Sequence, residues 1–143
     1  MSDTFPKHSL SLTAARAVVA AAEARARDIG LTIATTVVDE SGVLKHFARM
    51  DGAPLVAVEV SRKKAVTAVG FGLSTGEAWH DFVKDDPILS AGASSIPEFT
   101  MLGGGLPIMA GDAIVGAVGV SGGHYRQDEQ CARAGLEALN ATD

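Results

Sequence analysis

Residues 116–135 read GAVGVSGGHYRQDEQCARAG, and this stretch predicts a strand, a tight turn and a helix in direct succession. Residues 114–120 form an apolar run typical of a strand, and residues 126–139 carry apolar side chains among polar ones, as an amphipathic helix does. The glycines between them permit the abrupt change in backbone direction. The same turn matches G-x-S-x-G at residues 119–123, which in this context marks the nucleophile of α/β-hydrolases.

The serine of this motif, Ser121, is nevertheless not expected to be a nucleophile. An α/β-hydrolase places its acid and its histidine after the serine, whereas here the only histidine after Ser121 is His124, three positions away. A catalytic triad needs a base that reaches the serine and a third group that orients the base. The turn is therefore interpreted as structural, with Asp128 capping the following helix, where the helix dipole favours negative charge.

Outward from this turn, apolar periodicity and turn residues divide the chain into alternating helices and hairpins. The predicted elements are a helix over 11–28, strands over 31–38 and 43–50, a helix over 54–70, a short helix over 74–82, an irregular loop over 84–101, strands over 106–109 and 114–120, and a helix over 126–139. Two hairpins joined through helices predict an α+β fold with an antiparallel sheet of four to five strands, flanked by helices. The chain is expected to form a single compact domain over residues 1–143, with residues 1–8 flexible.

Composition predicts a self-associating protein that binds neither nucleic acid nor membranes. The chain of 143 residues is 47% hydrophobic but only 5% aromatic, which favours a homo-oligomer that covers exposed apolar surface. Its formal net charge is -5 without a basic block, which argues against nucleic-acid binding. No apolar run is long enough to span a bilayer, and the N-terminal stretch lacks the apolar core of a signal peptide. The single cysteine, Cys131, suits a reducing, cytoplasmic location.

Six short motifs occur in a characteristic order along the chain. They are VVDESG (37–42), RMDGA (49–53), KA (64–65), GGGLPI (103–108), GAVGVSGG (116–123) and QDE (127–129). This ordered set resembles the GlcG/HbpS family (DUF336, haem-degrading or haem-binding domain), which includes the C-terminal domain of PduO proteins, over about residues 9–140. The resemblance implies a profilin- or PAS-like fold, assembly into tetramers or octamers, and non-covalent haem binding or haem and iron handling. Other members of this family belong to catabolic operons.

Three groups of residues are candidates for binding a ligand. The Gly103–Gly105 loop lacks the lysine of a phosphate loop; it either offers its backbone to a ligand or makes a tight entry into a strand. Arg49, beside Asp51, could grip a carboxylate with its guanidinium fork or form a local ion pair with Asp51 or Asp39. Lys64 could neutralise an acidic ligand or extend its ammonium into water along an apolar stem.

Histidine is the usual haem ligand, and four histidines are present: His8, His46, His80 and His124. No C-x-x-C-H motif indicates covalent haem, and no HExxH motif or cysteine cluster indicates a metal site. His8 precedes the first helix, near a position where the resemblance implies a ligand. His124 and His80 are the preferred choices for chemistry specific to this chain.

Two functions remain open, and with them the question of whether the protein is an enzyme. The resemblance implies a small-ligand-binding protein that handles haem. The alternative is a cofactor-free isomerase, lyase or hydrolase acting on a small acidic organic molecule in a catabolic pathway, with His124 or His80 as acid and base. For both, we expect a pocket between subunits that joins the Gly103–Gly105 loop, the Arg49–Asp51 turn and the turn of Ser121, Gly122 and His124, with the 84–101 loop closing over it.

Overall fold

A computed structural model describes residues 2–140. Its elements, in chain order, are α1 (Leu12–Asp28), β1 (Ala34–Asp39), β2 (Leu44–Arg49), α2 (Ala57–Phe71), α3 (Glu77–Val83), α4 (Pro87–Ala93), β3 (Gly105–Ala110), β4 (Ala113–Ser121) and α5 (Tyr125–Asn140). Met1 and residues 141–143, which belong to the predicted domain, lie outside the described residues. The helices among residues 2–140 are too short or too polar to cross a bilayer.

The strands form one antiparallel sheet of four strands in the order β2-β1-β4-β3. Ala34 of β1 pairs with Arg49 of β2 on one side and with Ser121 of β4 on the other. These three residues therefore mark the same end of the sheet. The predicted α+β fold with an antiparallel sheet flanked by helices is confirmed, at the lower of the two strand numbers expected.

Helices cover both faces of the sheet, with α2 on one face and α1 and α5 on the other. The central strands β1 and β4 are buried on both sides, so their sequences lack the apolar–polar alternation of a half-exposed strand. The main core lies between the sheet and the α1–α5 layer. It includes Val18, Val19, Ala22, Ile33, Val37, Leu106, Ile108, Val118, Val120 and Cys131.

Small residues let α2 lie unusually close to the sheet. A β-carbon on Gly119 would lie 2.0 Å from the carbonyl oxygen of Ser61, so only glycine fits in β4 at this point. Beside it, the hydroxyls of Thr36 and Ser61 form a buried hydrogen bond of 2.8 Å. This close approach presses the middle of α2, including Lys64, against the strands.

The segment over 84–101 differs from the expected irregular loop because it contains α4. Asp86 caps this helix by accepting the Leu89 N–H at 3.0 Å, and Pro87 occupies the first turn, where its missing N–H costs nothing. Although this segment contains Pro87 and Gly92, α4 forms and packs on a separate small core. That core consists of Trp79, Val83 and Ala93, with Leu73, Leu89, Phe99 and Met101 packed against it.

The remaining predictions about surfaces concern the N-terminus and self-association. Residues 2–9 are exposed and form neither helix nor strand, and their flexibility stays a prediction. Leu55 and Val56, just before α2, are 81% and 66% exposed. These side chains form part of the apolar surface that motivates the predicted homo-oligomer, a tetramer or octamer. The oligomer and the cytoplasmic location both stay predictions.

Candidate functional site

A cavity of about 520 Å³ opens between the start of α3, the segment before β3 and the start of α5. Its walls are Gly76, Glu77, His80, Asp81, Met101, Leu102, Gly103, Tyr125 and Arg126. This volume falls in the range of small-ligand sites. Three large apolar or aromatic side chains line it together with an imidazole, two carboxylates and a guanidinium, so it combines an apolar surface with a few polar groups.

Gly103 of the Gly103–Gly105 loop lines this cavity, and the loop is held by its neighbours. The Gly76 N–H donates to the carbonyl of Met101, and the Gly105 N–H donates to Oγ1 of Thr75 at 2.8 Å. A β-carbon on Gly103 would lie 2.9 Å from the Tyr125 ring, and one on Gly105 would lie 2.3 Å from the carbonyl oxygen of Lys64. The glycines at 103 and 105 are therefore explained by close packing, and the Gly105 N–H is not available to a ligand.

Behind the loop lies a buried ion pair between Lys64 of α2 and Asp128 of α5. Their side chains are each 2% exposed, and Nζ of Lys64 lies 3.0 Å from Oδ2 of Asp128. The same Nζ donates to the carbonyl of Val120 at 2.8 Å, and Oδ1 of Asp128 accepts the Gly123 N–H at 2.9 Å. The predictions that Lys64 reaches an acidic ligand or extends into water are both wrong, because close packing of α2 on the sheet encloses it.

Burial acts on both members of this pair. Loss of solvation lowers the pKa of Lys64, and the charge and hydrogen bond of Asp128 only partly oppose this. Loss of solvation likewise raises the pKa of Asp128 against the attraction of Lys64 and the Gly123 hydrogen bond. The pair is therefore held by specific geometry in surroundings that disfavour each charge separately.

His124 stands immediately before α5 and caps it. The ring Nδ1 of His124 accepts the backbone N–H of Arg126 at 3.2 Å, and the backbone N–H of His124 donates to Oε1 of Gln127 at 3.1 Å. A protonated Nδ1 could not accept this bond, so the cap requires the ring nitrogen to be unprotonated. Within residues 2–140 no hydrogen bond joins His124 to Ser121, which ends β4 and is 8% exposed, so the two side chains do not form a base–nucleophile pair.

His80 lies within the cavity, on the exposed side of α3. Its Nδ1 is 3.9 Å from Oδ1 of Asp81, and both side chains are solvent-exposed. Arg126 of α5 pairs with Glu77 of α3 at 3.2 Å, so these two helices are bridged at the cavity. Of the histidines named in advance, His80 is the one among the cavity's lining residues.

The Arg49–Asp51 turn does not line this cavity. It borders a separate concavity of about 330 Å³ with Glu23 and Arg27, on the edge-strand side of the sheet. The expected ion pairs of Arg49 are not formed within residues 2–140. Asp39 instead accepts the Ser41 and Val43 N–H groups of its own turn. The three segments expected in one pocket thus share an end of the sheet without sharing a cavity in one subunit.

His8 lies at the opposite end of the sheet. It lines a concavity of about 380 Å³ with Phe5, Lys7, Glu40, Val69 and Ile114, among others. Leu10 anchors this N-terminal segment by donating to the carbonyl of Val115 at 3.0 Å, near the start of β4. His8 therefore cannot share a ligand with His80 in one subunit.

Several cavity residues carry no sequence motif and were missed. Met101 is the last residue of the segment expected to be a lid and Leu102 follows it, while Arg126 begins the predicted closing helix and Tyr125 precedes it. The fact that Tyr125 is the only tyrosine of the chain was the one available signal. Among residues 2–140, no cluster of three histidine, cysteine or acidic residues could hold a metal ion.

A comparison with known proteins identifies the family to which this fold belongs. A family model described as "Haem degrading protein HbpS-like" matches residues 10–137. The chain belongs to the HbpS-like family. Protein GlcG of Escherichia coli K12 is 33% identical over 112 residues, which cover 78% of this chain and 81% of GlcG. The resemblance derived from the ordered motifs is thereby confirmed.

Two solved structures show the same fold as this HbpS-like chain. Klebsiella pneumoniae protein ORFY matches with a TM-score of 0.90 at 29% identity, covering 100% of this chain and 99% of ORFY. A PduOC–haem complex matches with a TM-score of 0.83 at 28% identity, covering 92% of this chain and 96% of PduOC. Haem is thus the ligand of one structural relative.

Proposed function

We propose that this HbpS-like protein binds haem non-covalently in the cavity between α3 and α5, with His80 as the iron ligand. The observation that carries the proposal is the exposed imidazole of His80 in a cavity walled by Met101, Leu102 and Tyr125. A porphyrin needs an apolar slot for its ring, a nitrogen or sulfur donor for its iron, and cations for its propionates.

The residues present fit such a group. Leu102 and Tyr125 offer apolar surface to the ring, while the thioether of Met101 is a second donor that haem iron accepts. Arg126 can receive a propionate, because its pair with Glu77 is exposed and such pairs exchange partners at little cost. Bound haem would supply the iron-centred chemistry, whereas these side chains would bind and orient it.

Family membership and the PduOC–haem complex support the same ligand class from outside the chain. This support is for haem as a ligand; the choice of the α3–α5 cavity rests on the geometry of this chain. The concavity around His8 is the competing location, and it also holds one histidine beside apolar side chains and a lysine.

Haem titration followed by the Soret band tests the proposal. We expect the wild-type protein to develop a shifted Soret band, and His80→Ala to lose or displace it while His8→Ala and His124→Ala retain it. Arg126→Ala should weaken binding without changing the band position. Loss of the band in His8→Ala alone would assign haem to the N-terminal concavity, and no band in the wild type would end the haem proposal.

A second candidate uses the same cavity for cofactor-free chemistry on a small organic acid. The observation that favours it is the His80 imidazole with the Asp81 carboxylate 3.9 Å away and the Arg126 cation on the facing wall. Arg126 would hold the acid and His80 would move a proton. A colourless protein whose turnover of a small acid falls in both His80→Ala and Arg126→Ala would favour this candidate over haem binding.

A further inference from the structure

We propose that Lys64 and Asp128 form a positioning pair that holds the two walls of the α3–α5 cavity together. Lys64 is 1% exposed and Asp128 is 1% exposed, so neither can touch a ligand. Their role would be to act through the residues that do. The haem titration used below to test this role rests on the proposed haem function, whereas the hydrogen-exchange measurement does not.

One continuous hydrogen-bond network joins the walls through this pair. The Val120 N–H donates to the carbonyl of Gly104 at 3.0 Å. The Val120 carbonyl accepts from Nζ of Lys64 at 2.8 Å, and the same Nζ lies 3.0 Å from Oδ2 of Asp128. The other carboxylate oxygen, Oδ1, accepts the Gly123 N–H at 2.9 Å.

Both ends of the network adjoin cavity residues. Gly104 follows Gly103, which lies against the Tyr125 ring, and Gly123 lies in the turn that leads into Tyr125 and Arg126. A β-carbon on Gly104 would lie 3.1 Å from Nζ of Lys64 and 3.1 Å from Cβ of Asp128. The loop on one wall and the start of α5 on the other therefore rest on the same ion pair.

A contribution to folding stability is a weak explanation for the presence of this buried ion pair. Replacing a buried ion pair with apolar or neutral side chains of similar volume is often neutral or stabilising, whereas removing one partner leaves an uncompensated buried charge. If the pair instead fixes the geometry of the turn, the turn should change when both charges are removed, even though the fold is retained.

The test compares Lys64→Met with the double variant Lys64→Met/Asp128→Asn in the full chain. In the double variant neither position 64 nor position 128 carries a charge, and the asparagine can still accept the Gly123 N–H. Lys63→Met is the matched control, because Lys63 neighbours Lys64 on α2 and is only partly buried. The measurements are thermal unfolding, hydrogen exchange resolved by residue, and the haem titration described above.

We expect Lys64→Met to lower the thermal midpoint and the double variant to recover most of that loss. In the double variant, the amides of Arg126 and Gln127 and the Val120 amide bonded to Gly104 should exchange about tenfold faster, with Val37 in β1 unchanged. Haem affinity should fall about tenfold in the double variant and stay unchanged in Lys63→Met. Wild-type exchange at these amides in a stably folded double variant would overturn the proposal. If the wild type binds no haem, the haem proposal fails while the exchange result still decides this one.

Discussion

Lys64 and Arg49 are two cations for which the sequence suggests the same task, and the fold places them in opposite surroundings. Lys64 is 1% exposed beneath the sheet, paired with Asp128, whereas Arg49 ends the edge strand β2 and is exposed without an ion pair among residues 2–140. The difference follows from strand order, because α2 crosses the central strand β4 while β2 has a neighbour on one side only. Position in the sheet, more than residue type, decides which cation can meet a ligand.

The largest difference between the two regions should appear when one glycine in each is replaced by alanine. A β-carbon on Gly104 would lie 2.6 Å from the Val120 carbonyl oxygen at a φ of 123°, whereas Gly52 in the Arg49 turn has a φ of 86° and its nearest contact is 3.9 Å away. We expect Gly104→Ala to cost about 3 kcal/mol or more of unfolding free energy. Gly52→Ala should cost about 1–2 kcal/mol from backbone strain alone. Urea unfolding measures both, and equal losses would contradict the difference in packing.

The buried region should also respond to alkaline pH through Cys131, which lies one turn after Asp128 on α5. Burial first, and the charge of Asp128 second, raise the pKa of the Cys131 thiol from 9.0 to about 11. Above pH 9 the unfolded chain loses this proton while the folded chain keeps it, so stability should fall as pH rises from 9 to 11, by at most about 3 kcal/mol.

Cys131→Ala is the control for this pH dependence. It should be less stable at neutral pH because it leaves a cavity, but its unfolding free energy should fall less steeply between pH 9 and 11. Denaturant titrations of both proteins across this range measure the difference. Parallel curves for the wild type and Cys131→Ala would show that the thiol does not contribute.

The exposed region should give the smallest effect. Arg49→Met removes a guanidinium that has no ion pair within residues 2–140, so we expect the unfolding free energy to change by less than about 1 kcal/mol. A matched Arg27→Met variant tests the other guanidinium of the same concavity. A loss of several kcal/mol in Arg49→Met would mean that the turn depends on an interaction comparable to that of Lys64.

The sequence predicted the elements far better than the site. Helix α1, both hairpins and the order of the helices follow from local periodicity and turn residues, and the predicted ends of these elements differ from the structure by a few residues. Helix α4 was missed because its seven residues are too short to show a period and are held by packing on Trp79 and Val83. The predicted pocket and this cavity lie at the same end of the sheet, but the predicted pocket includes Arg49, whereas His80 and Arg126 line the cavity.

By itself, the sequence determined the α+β class, the antiparallel hairpins and the family, because these depend on short-range patterns and on motifs in a fixed order. Only the tertiary structure decided which of those motif residues meet each other. The backbone approach at Gly119 encloses Lys64, and the meeting of α3 with α5 brings His80 to Tyr125 and Arg126, 45 or more positions along the chain. Such contacts depend on how distant elements pack, which neither local periodicity nor a motif encodes.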